Sequence, residues 1–496
     1  MLWVVDDQGW ANIGYNNPGN VHTPVADALA ADGVVLLRQY AYPWCAPSRA
    51  SLMTGRLPYH VSQTTGLVAR GHTFLPAKLK ELGYTSHAIG KWHLGNLAPW
   101  QTPVGRGFDT SFGYLSGVED HWTQFQGTGH DFGCQGVDLF ASTKPAFGRN
   151  GTGYGSLTHS AEAVKVVNAH DTAAPLFLYV ALQVMHGPLQ VPSEYSARYH
   201  RTGNYSEAYA IANGMATVAD EALGNVTAAL KAKGMWNTTL LVHTSDNGGP
   251  TGRLADGGSA NNWPLRGGKF NLFEGGVRVP GFVAGGALPS TARGTRLDGL
   301  IHLCDYYATF AGLAGGDATD LRIGLPPPDS LDMWEYLTGA ASHSPRKWTV
   351  LSSQPGEEVV YSGDECRPAT LCGRQSVWNA ALLDGGDYKL VLGWQSSGIW
   401  QGPIYPNAST SYTAEQPVMC AEPGCLFDVR SDPGEHIDLA ARMPTKVAEM
   451  RQVLADLNRS YYREPRVGDQ GFERDETACR AYTASHAGFL GPYLSD

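Results

Sequence analysis

Cys45-Ala46-Pro47-Ser48-Arg49-Ala50-Ser51-Leu52-Met53-Thr54-Gly55-Arg56 brings a thiol, a turn and the opening of a helix together in one short stretch. Pro47 fits the first turn of a helix, where the N–H it lacks has no intrahelical partner to lose. Ser48 to Met53 contain no helix breaker, so the first-turn N–H groups converge near Cys45. Arg49 adds a permanent positive charge. A nucleophile facing an anion is one reading of this run, and a buried cysteine beside a turn is the ordinary one. The chemistry that the flanking chain delivers to the same place decides between them.

Upstream, Leu2–Val5 is a short apolar run ending in Asp6-Asp7, the pattern of a central parallel strand. Carboxylates at the carboxyl end of such a strand face the crevice where open α/β sheets hold ligands. Adjacent carboxylates repel unless a cation or basic group intervenes, so a hard metal ion is the economical explanation of the pair. Thr23-Pro24 predicts a helix through Ala31, capped by Thr23 and ended by Gly33, and Val34–Leu37 returns to the sheet.

Downstream, Phe74–Leu82 reads as a helix closed by Gly83, and Tyr84–Ile89 as the next strand. That strand delivers Lys91 and His93, which lie two apart and share a face if the segment is extended. Gly113 to Tyr154 is rich in Gly and aromatic residues without periodicity, as expected of an insertion that shapes a pocket mouth. Ser160–Ala169 reads as helix and Pro175–Leu182 as a buried strand, with His186 four residues later. Ser206–Lys233 predicts a long packing helix, and Leu240–His243 a strand followed by Asp246 and Asn247. Asp6, Asp7, Asp246 and Asn247 offer hard oxygen ligands with no Cys/His cluster, which favours Ca²⁺, with Mg²⁺ second, over Zn²⁺. After Gly267-Gly268, Lys269 sits on a loop that can lay its ammonium across an anion.

This alternation predicts an α/β domain over 1–345, with a mostly parallel central sheet flanked by helices. Beyond it the texture changes. Thr349–Ser352, Asn379–Leu383 and Tyr388–Gly393 read as antiparallel strands, and Pro444–Asn458 as a helix with Val447, Met450, Leu454 and Leu457 on one face. They predict a small C-terminal α+β domain over 346–496.

At 496 residues, with 43% hydrophobic and 17% charged, the chain has the size and composition of a globular protein of two domains. No apolar run approaches the ~20 residues that span a bilayer, so no transmembrane segment is expected. A net charge of −10 argues against nucleic-acid binding and requires any anionic substrate to be held by a local basic pocket. Its 16 histidines carry that charge to zero or beyond on acidification toward pH 5, as an acidic compartment would. With Cys45 set aside and Cys304 in an apolar run, Cys134, Cys366, Cys372, Cys420, Cys425 and Cys479 remain for disulfides of open connectivity. Sequons at Asn150, Asn204, Asn225, Asn237, Asn407 and Asn458 add to the cysteines in favouring the secretory pathway, lysosomal or extracellular. No signal peptide precedes Leu2–Val5, and the N-terminus reads as truncated or processed.

Taken in order, Asp6-Asp7, Cys45 to Arg56, Gly90 to Gly95, His186, Asp246-Asn247 and Lys269 resemble the type I sulfatases. Cys45-Ala46-Pro47-Ser48-Arg49 with its Leu-Met-Thr-Gly-Arg continuation resembles the signature in which the cysteine is converted to formylglycine. Ala181-Leu182-Gln183, Pro188–Pro192 and Asn261–Gly267 look similar to the arylsulfatase B, or N-acetylgalactosamine-4-sulfatase, group. The stretch Leu426–Leu439 is similar to the family's small domain. The resemblance implies an alkaline-phosphatase-like large domain and a sulfuric ester hydrolase acting on a sulfated sugar or aryl sulfate.

It further implies Ca²⁺ held by Asp6, Asp7, Asp246, Asn247 and an oxygen of modified Cys45, and maturation by a formylglycine-generating enzyme. Lys91, His186 and Lys269 would neutralise sulfate, with Lys269 or His186 as acid. His93 would take a proton from the hydrate, Asp246 would be a candidate base, and Arg49 would stabilise the hydrate. Two alternatives accompany this reading. One is a phosphoester or phosphonate hydrolase of the same architecture, which mostly uses Ser or Thr and paired transition metals. The other is a non-catalytic relative that binds sulfated glycans.

Overall fold

The computed structural model describes residues 1–63, 67–129, 131–200, 206–251, 259–320, 325–353, 379–405, 416–462 and 474–495. One sheet of ten strands dominates: β1 (Leu2–Val5), β2 (Val34–Leu36), β3 (Thr85–Lys91), β4 (Thr110–Tyr114), β5 (Phe140–Ala141), β6 (Lys144–Pro145), β7 (Leu176–Leu182), β8 (Leu241–Ser245), β9 (Gly281–Ala284) and β10 (Thr295–Leu297). Their spatial order is β10-β2-β9-β8-β1-β7-β3-β4-β5-β6. The central strands β8-β1-β7-β3-β4 are all parallel. β9 runs against both neighbours, and the β5–β6 hairpin closes one edge antiparallel.

Because strand side chains alternate, β1 is apolar on both faces and draws a helix layer onto each. Leu2 and Val4 join one buried cluster with Ala50, Leu52 and Met53 of α2 (Cys45–Thr54), Leu75 and Leu79 of α3 (Leu75–Glu81), and Tyr306 of α6 (Asp305–Leu313). Trp3 and Val5 join a second with Ala26 and Leu29 of α1 (Pro24–Asp32), Ala163 and Val167 of α4 (Gly155–Ala169), and Met215 and Ala219 of α5 (Glu207–Ala232). Each such fully buried large side chain contributes about 1.5–3 kcal/mol.

Several expectations shift. Thr23 precedes α1 but does not cap it: its hydroxyl accepts from Gly14 N (2.7 Å) and donates to Asp27 Oδ1 (3.0 Å). The stretch Gly113 to Tyr154 is not a plain insertion. Gly113 and Tyr114 end β4, which pairs in parallel with β3, and β5 and β6 extend the same sheet. These strands are only two to five residues long, so no period-2 pattern marks them. β3 also runs on to Lys91, beyond Ile89, because its pairing with β4 continues to Tyr114.

A second sheet of four antiparallel strands, Thr349–Ser352, Asn379–Leu383, Tyr388–Gln395 and Val418–Asp428, packs with α7 (Pro444–Asn458). Val447, Met450 and Leu454 of α7 are buried, whereas Leu457 is half-buried. Lys389 of this sheet places its ammonium 3.0 Å from Glu274 of the large layer and 3.0 Å from Glu435. All three are 0% exposed, so the two sheets are joined by a buried charge cluster. Burial outweighs Lys389 and raises Glu435 to about 7.

Disulfides join Cys134 to Cys479 and Cys420 to Cys425, while Cys45 and Cys304 are free and buried. Cys366, Cys372, Asn204 and Asn407 lie outside the described residues. Asn225 and Asn237 are exposed. Among the described residues, no helix is long and apolar enough to cross a membrane. The histidine count overstates the response to acid, since burial holds His72 and His243 at about 3 and His121 and His159 at about 4.

Candidate active site

Parallel strands end their chains at one edge of the sheet, and the predicted site residues collect there. Asp6 and Asp7 follow β1, Lys91 ends β3, His186 follows β7 and Asp246-Asn247 follow β8. The order β8-β1-β7-β3 makes these ends adjacent. Cys45 opens α2 beneath them, and Lys269 enters from the loop ahead of Glu274. Asp6, Asp7, Arg49, Asp246 and Asn247 are at most 1% exposed.

Asp6 Oδ2 accepts from Lys91 Nζ at 2.6 Å, and Cys45 Sγ lies 3.6 Å from Asp6 Oδ1. Asp7 accepts from Lys269 Nζ (2.9 Å) and Asn247 Nδ2 (2.7 Å), with His186 Nε2 at 3.8 Å. Asp246 Oδ2 accepts from Arg49 Nε (2.9 Å) and faces Arg49 Nη2 at 2.7 Å. Three carboxylates thus meet three permanent cations. Burial raises Asp6 and the neighbouring Asp246 adds to it, whereas Arg49 overcomes burial and holds Asp246 well below the usual carboxylate range. Burial opposes the Lys91 charge, yet Asp6 keeps its ammonium above its ordinary range.

Oxygens of Asp6, Asp7 and Asp246 and Cys45 Sγ all lie within 4.8 Å of one another. Asn247 Oδ1 is buried beside them with no hydrogen-bond partner. Hard oxygens in excess, one of them unsatisfied, fit a divalent cation. The charge balance agrees: the site is neutral as built, so an anionic substrate calls for added positive charge.

Lys91 and His93 do not share a strand face, because β3 ends at Lys91 and His93 takes a left-handed φ of 58°. The ring instead lies against Gly117, where a Cβ would stand 2.6 Å from His93 Cε1, so a side chain there would displace the imidazole. Burial, then Lys91 and Arg49, hold His93 well below the ordinary histidine range, leaving it neutral. Its Nδ1 is buried without a partner and its Nε2 lies 4.0 Å from Asp131.

Three contacts escape sequence reasoning. Tyr179 OH accepts from Arg49 Nη1 at 3.2 Å, and His121 Nε2 lies 3.1 Å from His186 O. Asp131 sits in the aperiodic segment and carries no signal at all. Tyr179 does, since it alternates with Phe177 and Ala181 on the strand face that meets α2.

The sulfatase family model matches residues 1–316. The chain belongs to the sulfatase family. It is a type I sulfatase and a sulfuric ester hydrolase, for which a formylglycine and a divalent metal are general. Arylsulfatase J of Mus musculus is 33% identical over 472 residues, 92% of this chain and 75% of its own. N-acetylgalactosamine-6-sulfatase of Mus musculus is 29% identical over 483 residues, covering 89% and 81%. The solved structure of Ps i-CgsB in complex with k-i-k-neocarrahexaose superposes with a TM-score of 0.72 at 25% identity, over 98% of this chain and 96% of that one. The relatives act on differently named substrates, so similarity alone does not assign this sulfatase to the arylsulfatase B group.

Proposed function

We propose that residue 45 works as formylglycine and that the chain releases sulfate from a sulfated, glycosaminoglycan-like sugar or an aryl sulfate. Ca²⁺ would be held by Asp6, Asp7, Asp246, Asn247 and the oxygen of residue 45. The observation that carries this reading is Cys45 Sγ among three buried carboxylates. Burial pushes the thiol up despite Lys269 and Lys91, so the thiolate is disfavoured. A neutral thiol is a weak nucleophile and a poor ligand for a hard cation, whereas an oxygen at the same place suits both tasks. The hydrate would supply the attacking hydroxyl, and a bound cation would screen the carboxylates and polarise the sulfate.

The chain's own residues do the rest. Lys91 and Lys269 stabilise the sulfate oxygens from opposite carboxylates of the site. His186 protonates the leaving alcohol, with Lys269 as the other donor. Neutral His93 takes the proton of the residue-45 hydroxyl as sulfate leaves. Asp246, with Arg49 on one oxygen and Asp7 N on the other at 3.2 Å, holds its charge and is the candidate base for the attacking hydroxyl.

Every residue of α2 is buried, so a formylglycine-generating enzyme meets this stretch before folding. That timing, the disulfides and the exposed sequons support a secretory route to a lysosomal or extracellular location. Mass spectrometry of the peptide spanning Cys45, from a host competent for the modification, should give the aldehyde, and Cys45→Ala should abolish sulfate release. Full sulfatase activity from protein carrying only the thiol would overturn the proposal. A panel of aryl sulfates and defined sulfated saccharides then reads the substrate.

A further inference from the structure

We infer that Trp44 and Phe270 form an aromatic platform at the mouth of the site. On it stacks the ring that bears the sulfate ester, selecting ring-borne sulfates over open-chain alkyl sulfates. The inference rests on the sulfatase reading above and names which part of the leaving group is recognised.

Trp44 immediately precedes Cys45, and Phe270 immediately follows Lys269. Their ring centroids stand 6.1 Å apart with planes inclined at 40°. Lys269 Nζ, which lies on Asp7, is 5.2 Å from the Phe270 ring centre. Phe270 thus lies beside one anion-binding ammonium, and Trp44, one residue from the nucleophile, packs between Phe270 and the buried cluster that holds Leu272, Phe273 and Leu351. Asp6, Asp7, Arg49, Lys91, Asp246 and Asn247 are at most 1% exposed, whereas Trp44 and Phe270 are half-buried. An ester whose sulfur reaches residue 45 must keep its leaving group on the open side, where the rim is aromatic.

The platform is held in place from three sides. Phe270 N donates to Pro43 O at 2.8 Å, tying the Lys269 loop to the chain entering Cys45. Ser396, just past the inner strand Tyr388–Gln395 of the small sheet, donates to Phe270 O at 3.1 Å. Tyr42 meets the Trp44 ring edge-on at 4.7 Å and fixes its plane. Phe270 has a left-handed φ of 66°, a conformation that glycine adopts freely and a bulky residue does not. A strained aromatic residue kept beside the anion site is a mark of function. Flat aromatic faces accept either the C–H face of a pyranose or an aryl ring, so the shared chemistry is a six-membered ring carrying the sulfate.

The test uses the full chain in a Cys45→Ala background, where binding is read without turnover or modification. Affinities of 4-nitrophenyl sulfate, galactose 4-sulfate and methyl sulfate are measured by calorimetry for Trp44→Leu, Phe270→Leu and Trp44→Phe, with urea midpoints confirming folding. Each leucine variant should weaken ring sulfates about threefold to tenfold more than methyl sulfate, and Trp44→Phe should retain most of the preference. A loss confined to one ring class supports the platform and assigns it to that class. Equal weakening of all three sulfates, or none, in both leucine variants would overturn it. Sulfate release by the Cys45-containing enzyme is read separately. Its absence despite confirmed formylglycine counts against hydrolysis, while the binding ratios still decide the platform.

Discussion

Arg49 is the residue whose removal the structure prices most clearly. Its guanidinium is 0% exposed, donates from Nε to Asp246 Oδ2 at 2.9 Å with Nη2 in ion-pair contact at 2.7 Å, and donates from Nη1 to Lys91 O and Tyr179 OH, each at 3.2 Å. Arg49→Met keeps the volume and leaves a buried carboxylate without its partner, which costs about 3–5 kcal/mol. Two further acceptors lose a donor, at about 1 kcal/mol each in a site partly able to relax. The expected loss is then about 5–7 kcal/mol, comparable with the ~5–15 kcal/mol that holds a typical domain together. Urea unfolding followed by tryptophan fluorescence, with chelator present, measures it. Adding Asp246→Asn to Arg49→Met removes the stranded charge and should restore at least about 2 kcal/mol, a coupling that a double-mutant cycle isolates. A loss below about 1 kcal/mol for Arg49→Met, or two costs that simply add, would refute the claim that this ion pair organises the site.

Burial holds His159 neutral at about 4, so its contribution to stability is complete above the unfolded value near 6.5 and is lost as pH falls toward 4. His159→Phe should therefore flatten the acid limb of the stability curve by about 3 kcal/mol between pH 6.5 and 4, and an unchanged limb would contradict the assignment. Lys269→Ala should lower kcat/KM by about 10²–10³ on any sulfate ester, as loss of one donor to developing charge does, and a change under tenfold would remove Lys269 from the anion site. Cys134→Ser opens a link between positions 345 apart in sequence and should cost about 2–5 kcal/mol, read in urea and by proteolytic release of the C-terminal helix Glu476–Ser485. Ca²⁺ at a hundred times its dissociation constant should add about 2.7 kcal/mol to unfolding, and Asp7→Ala should abolish that gain.

Strands were legible where the chain is apolar without interruption. β1 and β7 are buried on both faces, so composition alone marks them, and the polar residues that follow them mark the ligand edge. The carboxylates, Lys91 and the histidines of the site were legible for the same reason, standing at or just past the ends of strands, whereas Lys269 was marked by the glycine pair before it. β4 to β6 were not, because strands of two to five residues are too short to show a period. Asp131 and His121 lie in that same segment and were invisible with it.

What the sequence by itself determined is therefore local: which segments are strand or helix, which chemical groups sit at their ends, and the Cys45 stretch that names a family. Only tertiary structure decided who faces whom. The order β8-β1-β7-β3 places residues 6, 45, 91, 246 and 269 within one buried cluster, pairing each carboxylate with its own cation. It also turned His93 out of strand alternation and set Trp44 against Phe270 across 226 residues of chain. Sequence patterns report the periodicity of one segment, whereas strand order and loop docking follow from how many segments bury their faces together, a property that no single stretch carries.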